Sequence, residues 1–356
     1  MEEFLMSDAL PDAAKATIGG LVVGLLFGFM AQRSRFCLRS ATLEFWHGSP
    51  GEKTAIWLLA FSTALLGTQY LLADGLLPAD ETRQLSNAGT LSGAIIGGLM
   101  FGCGMILARG CASRLLVLSA TGNMRALITG LLLTVVAQAS LTGALSPLRE
   151  HLSSLWVIPA ETRNMMLHLP NGIGLWMGAA LLAAAAWLGV RHRISWLSWL
   201  GAIAVGSAVV LGWYFTAQLA ANAWEPVGIE SVSFTGPSAN TLMSLITQPE
   251  PDLAFGTGLV PGVFLGSFLS AVLFREFKVQ AFDHSTGMAK YLVGAGMMGF
   301  GGMLAGGCAV GAGVTGGALL SLTSWVALFS MWLSAGITDH VIAGRSTAGG
   351  MAEGRG

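Results

Sequence analysis

The chain has 356 residues, of which 53% are hydrophobic and 10% charged, with a formal net charge of −1 and a mean hydropathy of +0.67. Soluble domains carry roughly 25% charged residues, so this composition excludes a water-soluble globular protein. The near-zero charge also excludes the electrostatic attraction that nucleic-acid-binding proteins rely on. Several apolar runs approach the ~20 residues that a helix needs to cross a bilayer. Together these features predict an all-α polytopic membrane protein embedded in the lipid bilayer.

Nine segments along the chain are predicted to span the membrane as helices. An acidic stretch, 1–16, precedes them and lacks the basic start of a signal peptide, so it is predicted to be an N-terminal segment that stays in place. The small and polar stretch 343–356 is predicted to be a disordered tail. The predicted spans lie at about 17–32, 54–75, 91–108, 124–145, 172–190, 195–217, 255–274, 289–306 and 321–338.

The distribution of Lys and Arg predicts the orientation, because these residues accumulate in cytoplasmic loops. With nine spans and the N-terminus in the periplasm, fourteen of the 18 basic residues fall on the cytoplasmic side. The sequence therefore predicts a multi-pass protein of the bacterial inner membrane with a periplasmic N-terminus and a cytoplasmic C-terminus. The four basic residues left on the periplasmic side are Lys15, Arg83, Arg149 and Arg163.

A motif, G-x4-G-x-G-x2-L-A-x-G-C-A, occurs twice, at 97–112 and 294–309. In the predicted topology the two copies run in opposite directions through the membrane, which is typical of an inverted-repeat transporter. The predicted organisation is thus two pseudo-symmetric halves. The first, 17–145, has its Gly-Cys motif at 110–111, and the second, 218–342, has its motif at 307–308, while 146–217 is a linker with two central transmembrane helices.

Each Gly-Cys pair is followed by an apolar stretch too short to span the membrane again, 112–121 or 309–319. Such stretches are predicted to be half-helices, whose free amide groups and positive dipole ends can hold an anion in mid-membrane. The proline-containing region 218–254 is also predicted to hold a half-helix. Its candidate N-capping residues are Thr235, Ser238 and Asn240.

The repeated Cys111 and Cys308, with Gly110 and Gly307 before them, are the main candidate site residues. The alternative is that these small residues only let helices pack closely. Arg109 is costly inside a bilayer, by at least about 2.5 kcal/mol at a helix centre, so it either lines a polar cavity or reaches the interface. Cys103 has no cysteine counterpart in the second copy, so it is interpreted as a packing residue. The cysteines form no CxxC pair and have no nearby histidine, so disulfide bonds and a metal site are not predicted.

A third candidate cysteine, Cys37, lies in a basic stretch. Its neighbours Arg33, Arg35 and Arg39 either set the topology or draw an anion to the thiol. The residues leave both interpretations open.

These stretches resemble the YeeE/YedE family of bacterial sulfur-transport membrane proteins, and the similarity runs over most of the chain. The resemblance implies a helical fold with pseudo-symmetric halves, no cofactor, and thiosulfate passing a mid-membrane constriction lined by Cys37, Cys111 and Cys308. It also implies a small TusA-like sulfur-carrier protein as a cytoplasmic partner. The chain departs from some members in lacking a cysteine at 276–287. The stretches that carry the resemblance are GFMAQRSRFC (28–37), GGLMFGCGMILARGCASR (97–114), GPSANTL (236–242), FREFKVQAFD (274–283) and MGFGGMLAGGCAVGAG (298–313).

The sequence therefore predicts a transporter for thiosulfate or a related small sulfur anion, and not an enzyme. One alternative is transport of another substrate, such as sulfite, a selenium species or a neutral solute. The other is a membrane sulfurtransferase that carries a persulfide on Cys111 or Cys308. A nucleophilic cysteine usually has a base nearby, yet all six histidines lie in loops or at segment ends, which disfavours the enzyme.

Overall fold

The computed structural model describes residues 10–170, 172–247, 252–280 and 287–353, and these are almost entirely helical. Two short strands, β1 (Gly89–Thr90) and β2 (Val157–Ile158), pair antiparallel in the connecting segments. A π-helix covers Ala309–Gly316. The α-helices are α1 Asp12–Ser34, α2 Leu38–Trp46, α3 Glu52–Ala73, α4 Leu91–Leu107, α5 Ala112–Ala120, α6 Met124–Leu141, α7 Ser146–Ser154, α8 Ala160–Arg163, α9 Ile173–Arg191, α10 Trp196–Asn222, α11 Thr235–Thr247, α12 Phe255–Leu273, α13 Met288–Leu304 and α14 Leu322–Glu353.

Within these described residues, nine helical stretches are long and apolar enough to cross a membrane, which confirms the predicted number. Three of them are interrupted helices, in which a long helix ends shortly before a cysteine and a short helix begins directly after it. They are Asp12–Trp46, Leu91–Ala120 and Met288–Gly316. The short pieces after Cys111 and Cys308 lie where half-helices were predicted. The equivalent piece after Cys37, α2, was not predicted, because the basic residues before it suggested a cytoplasmic loop.

Both ends of the helical region extend beyond the predicted limits. Helix α1 begins at Asp12 and not near residue 17, because Asp12 forms a buried ion pair with Lys15 at 2.9 Å and accepts a hydrogen bond from the Trp224 N–H. At the other end, where the sequence predicts a disordered tail from residue 343, helix α14 continues to Glu353. No proline interrupts this stretch, so the helix that leaves the span can propagate.

Glycines allow α1 and α12 to pack side by side in parallel. Gly20, Gly24 and Gly28 face backbone carbonyls of α12, and a side chain at any of them would collide with that backbone. Helices α4 and α13, which carry the repeated motif, pack antiparallel, since Gly97 meets Gly301 and Gly104 meets Gly294. The repeated glycines are therefore contact points between helices, in the manner of small residues in other membrane helices.

The packing partners of the first half recur in the second half. Helix α1 packs on α12, and α10 packs on α3; helix α4 packs on α14, and α13 packs on α6. In the same way α2 packs on α3, and α11 packs on α12. The packing thus relates α1, α3, α4 and α6 to α10, α12, α13 and α14, although the sequence predicted most of α10 to lie in the linker 146–217.

An extended segment, 228–234, passes through the core between α10 and α11. Backbone carbonyls inside a membrane protein need hydrogen-bond donors, and hydroxyl groups supply them here. Thr216 Oγ1 donates to the Glu230 carbonyl at 2.8 Å, and Thr315 Oγ1 donates to the Val232 carbonyl at 2.6 Å.

Helix α11 then starts at Thr235, so the region 218–254 contains the short helix that was predicted there. The predicted capping is wrong, because Thr235 is the first helical residue and its hydroxyl has no partner among the described residues, while Ser238 and Asn240 lie inside the helix.

Candidate functional site

Three cysteines occupy the same position in three interrupted helices. Each precedes the first residue of a short helix in an extended conformation: Cys37 before α2, Cys111 before α5 and Cys308 before the π-helix. All three side chains are buried, with 7%, 1% and 1% of their surface exposed. The structure therefore places every predicted site cysteine at the start of a short helix, where backbone N–H groups have no partner within the helix.

The residue two positions before each cysteine ends the preceding long helix. Arg35, Arg109 and Gly306 adopt left-handed conformations with φ of 53°, 55° and 80°. The next residue then donates its N–H five residues back, as in the Gly110–Met105 bond of 3.1 Å and the Gly307–Gly302 bond of 2.8 Å. This is the usual way of ending an α-helix with a left-handed residue.

Helix α12 ends in the same way, but no cysteine follows. Arg275 has φ of 57°, and the Glu276 N–H donates to the Ala271 carbonyl at 2.7 Å. Phe277 then stands where the other three helices have cysteine. The rest of the cysteine-free stretch, 281–286, lies outside the described residues.

Backbone amides face the sulfur atoms at the short helix starts. The Gly311 N–H donates to Cys308 Sγ at 3.4 Å, while the N–H groups of Ser40 and Arg114 face the Cys37 and Cys111 sulfurs. Cys111 Sγ also lies 3.3 Å from the Ser113 hydroxyl. An amide three residues into the helix thus points at each thiol, an arrangement that favours negative charge beside the sulfur.

Two of the thiols are neighbours in space. Cys37 and Cys111 are 74 residues apart in the sequence, yet their thiols are close enough to interact, and Arg114 lies within electrostatic reach of both. The Cys111 helix, α5, also touches the π-helix that begins after Cys308. The structure therefore brings the three short helices together around one region of the core.

The other predicted site residues have different surroundings. Gly307 is required sterically, because a side chain there would collide with the Ala312 backbone, whereas a side chain at Gly110 would make ordinary contact with Leu115. Arg109 is exposed at the end of α4 and does not lie over the thiols. Arg114 does, and its Nη1 donates to Gln32 Oε1 at 3.4 Å.

A second polar group lies at the end of the bundle where α4 begins, here called the Arg83 end. Arg83 pairs with Glu230 at 3.6 Å, and Arg163 donates to Thr323 Oγ1 at 3.0 Å. Burial raises the pKa of Glu230, against the opposing effect of Arg83. Burial and, secondarily, the nearby Arg83 lower the pKa of Arg163 to about 10, so Arg163 stays charged at neutral pH.

Sequence reasoning treated Arg83 and Arg163 only as markers of topology, and it did not single out Gln32, Glu230 or Glu276. One feature of the sequence could have drawn attention to Arg83 and Arg163 as functional residues: they are half of the four basic residues predicted on the periplasmic side. For the described residues, no group of three or more His, Cys, Asp or Glu side chains is placed to hold a metal ion.

Comparison with known proteins adds the family context. The profile of a family described as sulphur transport matches residues 33–337. The thiosulfate transporter TsuA of Escherichia coli is 29% identical over 344 residues, covering 89% of this chain and 92% of that protein. The thiosulfate transporter TsuA of Spirochaeta thermophila is 30% identical over 328 residues, covering 86% of this chain and 93% of that protein.

Proposed function

The chain belongs to the sulphur transport family, and we propose that it takes up thiosulfate, or a closely related small sulfur anion, through a path lined by cysteines. It is a multi-pass membrane transporter and not an enzyme. The observation that carries the finer proposal is that three buried thiols stand at the starts of short helices, and that two of them, Cys37 and Cys111, are neighbours beside Arg114. The names of the two relatives support thiosulfate as the substrate.

The chemistry of the site suits a divalent anion with a soft terminal sulfur. A thiol is a weak S–H donor, so each cysteine can hold that sulfur without forming a covalent bond. The amides at the short helix starts and the Arg114 guanidinium balance the charge of the anion. Weak, repeated sites favour conduction, because a tightly held ion would not leave.

The site residues divide into three roles. Cys308, Cys111 and Cys37 hold the substrate in turn, and Gly110 and Gly307 keep the backbone before the thiols free of side chains. Arg109, exposed at the end of α4 away from Arg83, adds positive charge at the cytoplasmic mouth of the path. No step requires a cofactor.

The protein lies in the bacterial inner membrane with the Arg83 end in the periplasm. The asymmetry of fourteen basic residues against four supports this orientation. Arg83 and Arg163 then face the incoming anion, and the opposite end of the bundle delivers it to the cytoplasm, where a small TusA-like sulfur carrier is the expected recipient.

The test is uptake of labelled thiosulfate into proteoliposomes that contain the purified protein. We expect uptake by the unaltered protein, near-complete loss in Cys111→Ala and Cys308→Ala, and intermediate loss in Cys37→Ala. Cys103→Ala is the matched control, because Cys103 is only half-buried and lies before the helix break. Its uptake should be unchanged.

Two outcomes would contradict the proposal. Normal uptake by both Cys111→Ala and Cys308→Ala would reduce these cysteines to packing residues. No thiosulfate uptake by the unaltered, correctly folded protein would reject the substrate.

A further inference from the structure

Three arginines, Arg33, Arg35 and Arg114, lie at the end of the proposed path beside Cys37 and Cys111, and the carboxylate of Glu276 lies among them. Arg114 is within electrostatic reach of Arg35 and Glu276 as well as the two thiols. Arg33 forms an ion pair with Glu276. We call Arg33, Gln32, Arg114 and Glu276 the inner network, and their end of the bundle the Glu276 end.

The inner network is a continuous chain of hydrogen bonds from the carboxylate towards the thiols. Arg33 Nη1 donates to Glu276 Oε1 at 3.1 Å, and Gln32 Nε2 donates to Glu276 Oε2 at 3.0 Å. The other end of the Gln32 amide, Oε1, accepts from Arg114 at 3.4 Å. Both carboxylate oxygens are therefore used, and Gln32 links Glu276 to the arginine beside the cysteines.

The Glu276 carboxylate accepts hydrogen bonds from the donors of the inner network in the way that the oxygens of a substrate anion would. A carboxylate and the SO₃ group of thiosulfate both present oxygens that accept hydrogen bonds from guanidinium and amide N–H groups. The Arg33 side chain is 16% exposed and Gln32 is 8% exposed, so these donors are costly to leave without an acceptor. Glu276 supplies that acceptor in the structure.

The ion pair between Arg33 and Glu276 is also weak enough for an incoming anion to replace the carboxylate. The Glu276 side chain is 34% exposed, and ion pairs near solvent contribute little net stability. Arg33 has a second partner, since its guanidinium lies 3.8 Å from the centroid of the Phe274 ring. Arg33 therefore remains held when the carboxylate leaves.

The backbone that carries Glu276 is fixed to the cysteine-bearing helix. The Lys278 N–H donates to the Thr121 carbonyl at 3.2 Å, and the Gln280 N–H donates to the Gly122 carbonyl at 2.9 Å. These contacts lie directly after α5, the helix that begins next to Cys111. The carboxylate thus stays close to the path when its side chain swings away from the arginines.

From this geometry we propose that Glu276 is an internal competitor of the transported anion. In the empty protein it occupies the arginines of the inner network, and an anion arriving from Cys37 and Cys111 displaces it. When Glu276 returns, it expels the anion from the Glu276 end. This inference rests on the proposed function and adds a residue that controls release.

The test compares two variants that break the same ion pair from opposite sides. Glu276→Gln removes the competitor, so thiosulfate should bind more tightly and leave more slowly, and both KM and maximal uptake rate should fall about threefold or more. Inhibition by added sulfate should increase, because the freed arginines accept other oxyanions. Arg33→Gln removes a cation of the inner network instead, so KM should rise.

If the Arg33–Glu276 ion pair only stabilises the fold, a different result is expected, because replacing either partner breaks the same pair and should change KM in the same direction. Changes of KM in the same direction in both variants, or an unchanged KM in Glu276→Gln, would overturn the proposal. Glu52→Gln is the matched control: this glutamate forms an ion pair with Lys53 at the same end but touches no member of the inner network. Its KM and sulfate inhibition should equal those of the unaltered protein.

Thermal unfolding of each variant identifies loss of folding separately from loss of transport. Thiosulfate uptake by the unaltered protein keeps this test distinct from that of the proposed function. If uptake occurs and the two variants shift KM together, only the role of Glu276 is rejected.

Discussion

At the scale of single residues, the site depends on which side chain stands at a shared backbone position. The same helix ending occurs before Cys37, Cys111, Cys308 and Phe277. Three of these four positions carry a thiol and the fourth carries a phenyl ring, while the same helix ending also precedes Leu77 and Ser195. Because a phenyl ring has no S–H donor and fills more space, the fourth place cannot hold the substrate sulfur in the same way.

The two arginines near Cys111 should differ in how salt affects their role. Arg114→Gln is expected to lower thiosulfate uptake at low substrate concentration by roughly tenfold, because a charge-assisted contact beside buried thiols is worth about 1.5–3 kcal/mol. Arg109→Gln should have a smaller effect that disappears above about 0.5 M salt, since exposed charges are screened. Uptake rates at two ionic strengths provide the measurement. An effect of Arg109→Gln that exceeds that of Arg114→Gln in high salt would contradict these roles.

The half-buried carboxyl group of Glu230 predicts a pH dependence of stability. Its folded-state pKa is raised, so the protonated form is favoured on folding, and this contribution is lost as pH rises through the folded pKa. Glu230→Gln mimics the protonated form. We expect the melting temperature of Glu230→Gln to exceed that of the unaltered protein increasingly from about pH 4.5 upward.

Melting curves at pH 5 and pH 8 in detergent measure this effect. A difference that becomes smaller towards pH 8 would mean that the ion pair with Arg83 outweighs burial.

At the scale of helices, glycine spacing determines which elements can meet. Helices α1 and α12 approach closely because each presents glycines four residues apart to the backbone of the other, including Gly24 and Gly262. This contact fixes Gln32 and Arg33, near the end of α1, next to Glu276, just after α12. The inner network therefore depends on small residues in the middle of the helices.

A methyl group at this interface should destabilise the protein. Gly24→Ala would place its Cβ against the backbone of α12, and overpacking of this kind costs about 1–3 kcal/mol. The matched control is Gly296→Ala, because nothing lies within 4 Å of a Cβ added there and alanine favours helix. Thermal unfolding should show a lower melting temperature for the first variant and an equal or higher one for the second. Equal stability of the two variants would mean that the α1–α12 contact is looser than it is in the structure.

At the scale of the whole molecule, the proposed topology, with one crossing for each of the nine apolar helical stretches in the described residues, puts the two chain ends on opposite sides of the membrane. Helix α3 has 22 residues and is about 33 Å long, so its two flanking loops lie at opposite ends of the bundle. The loop before α3 is at the Glu276 end, and the loop after it leads to Arg83. In the proposed uptake, the anion therefore enters at one arginine group and leaves at another.

Cysteines introduced into these two loops would establish the orientation. Asp80→Cys should react with a membrane-impermeant thiol reagent in intact cells, whereas Ser49→Cys should react only after the membrane is opened. Both positions are exposed, and three of the four native cysteines are buried. Labelling of Ser49→Cys in intact cells would reverse the orientation, and with it the roles of the two ends.

The sequence by itself determined the membrane class, the number of spans and the breaks at Cys111 and Cys308. These features follow from composition and from the local order of residues, because the length of an apolar run and a glycine-rich helix ending are properties of short stretches. The same local reasoning proposed Cys111 and Cys308 as site residues and left the role of Cys37 open. It also predicted a short helix in 218–254, but not the residue that precedes it.

Only the tertiary structure decided which of these residues meet. Cys37 and Cys111 lie close together, Arg114 and not Arg109 faces them, and Glu276 joins Gln32 from 244 positions away in the chain. Such contacts arise where helices distant in sequence cross, and the crossing points depend on the packing of all the helices together. A local sequence pattern predicts where each helix lies and which of its residues are polar, but it does not predict which other helices pack against it.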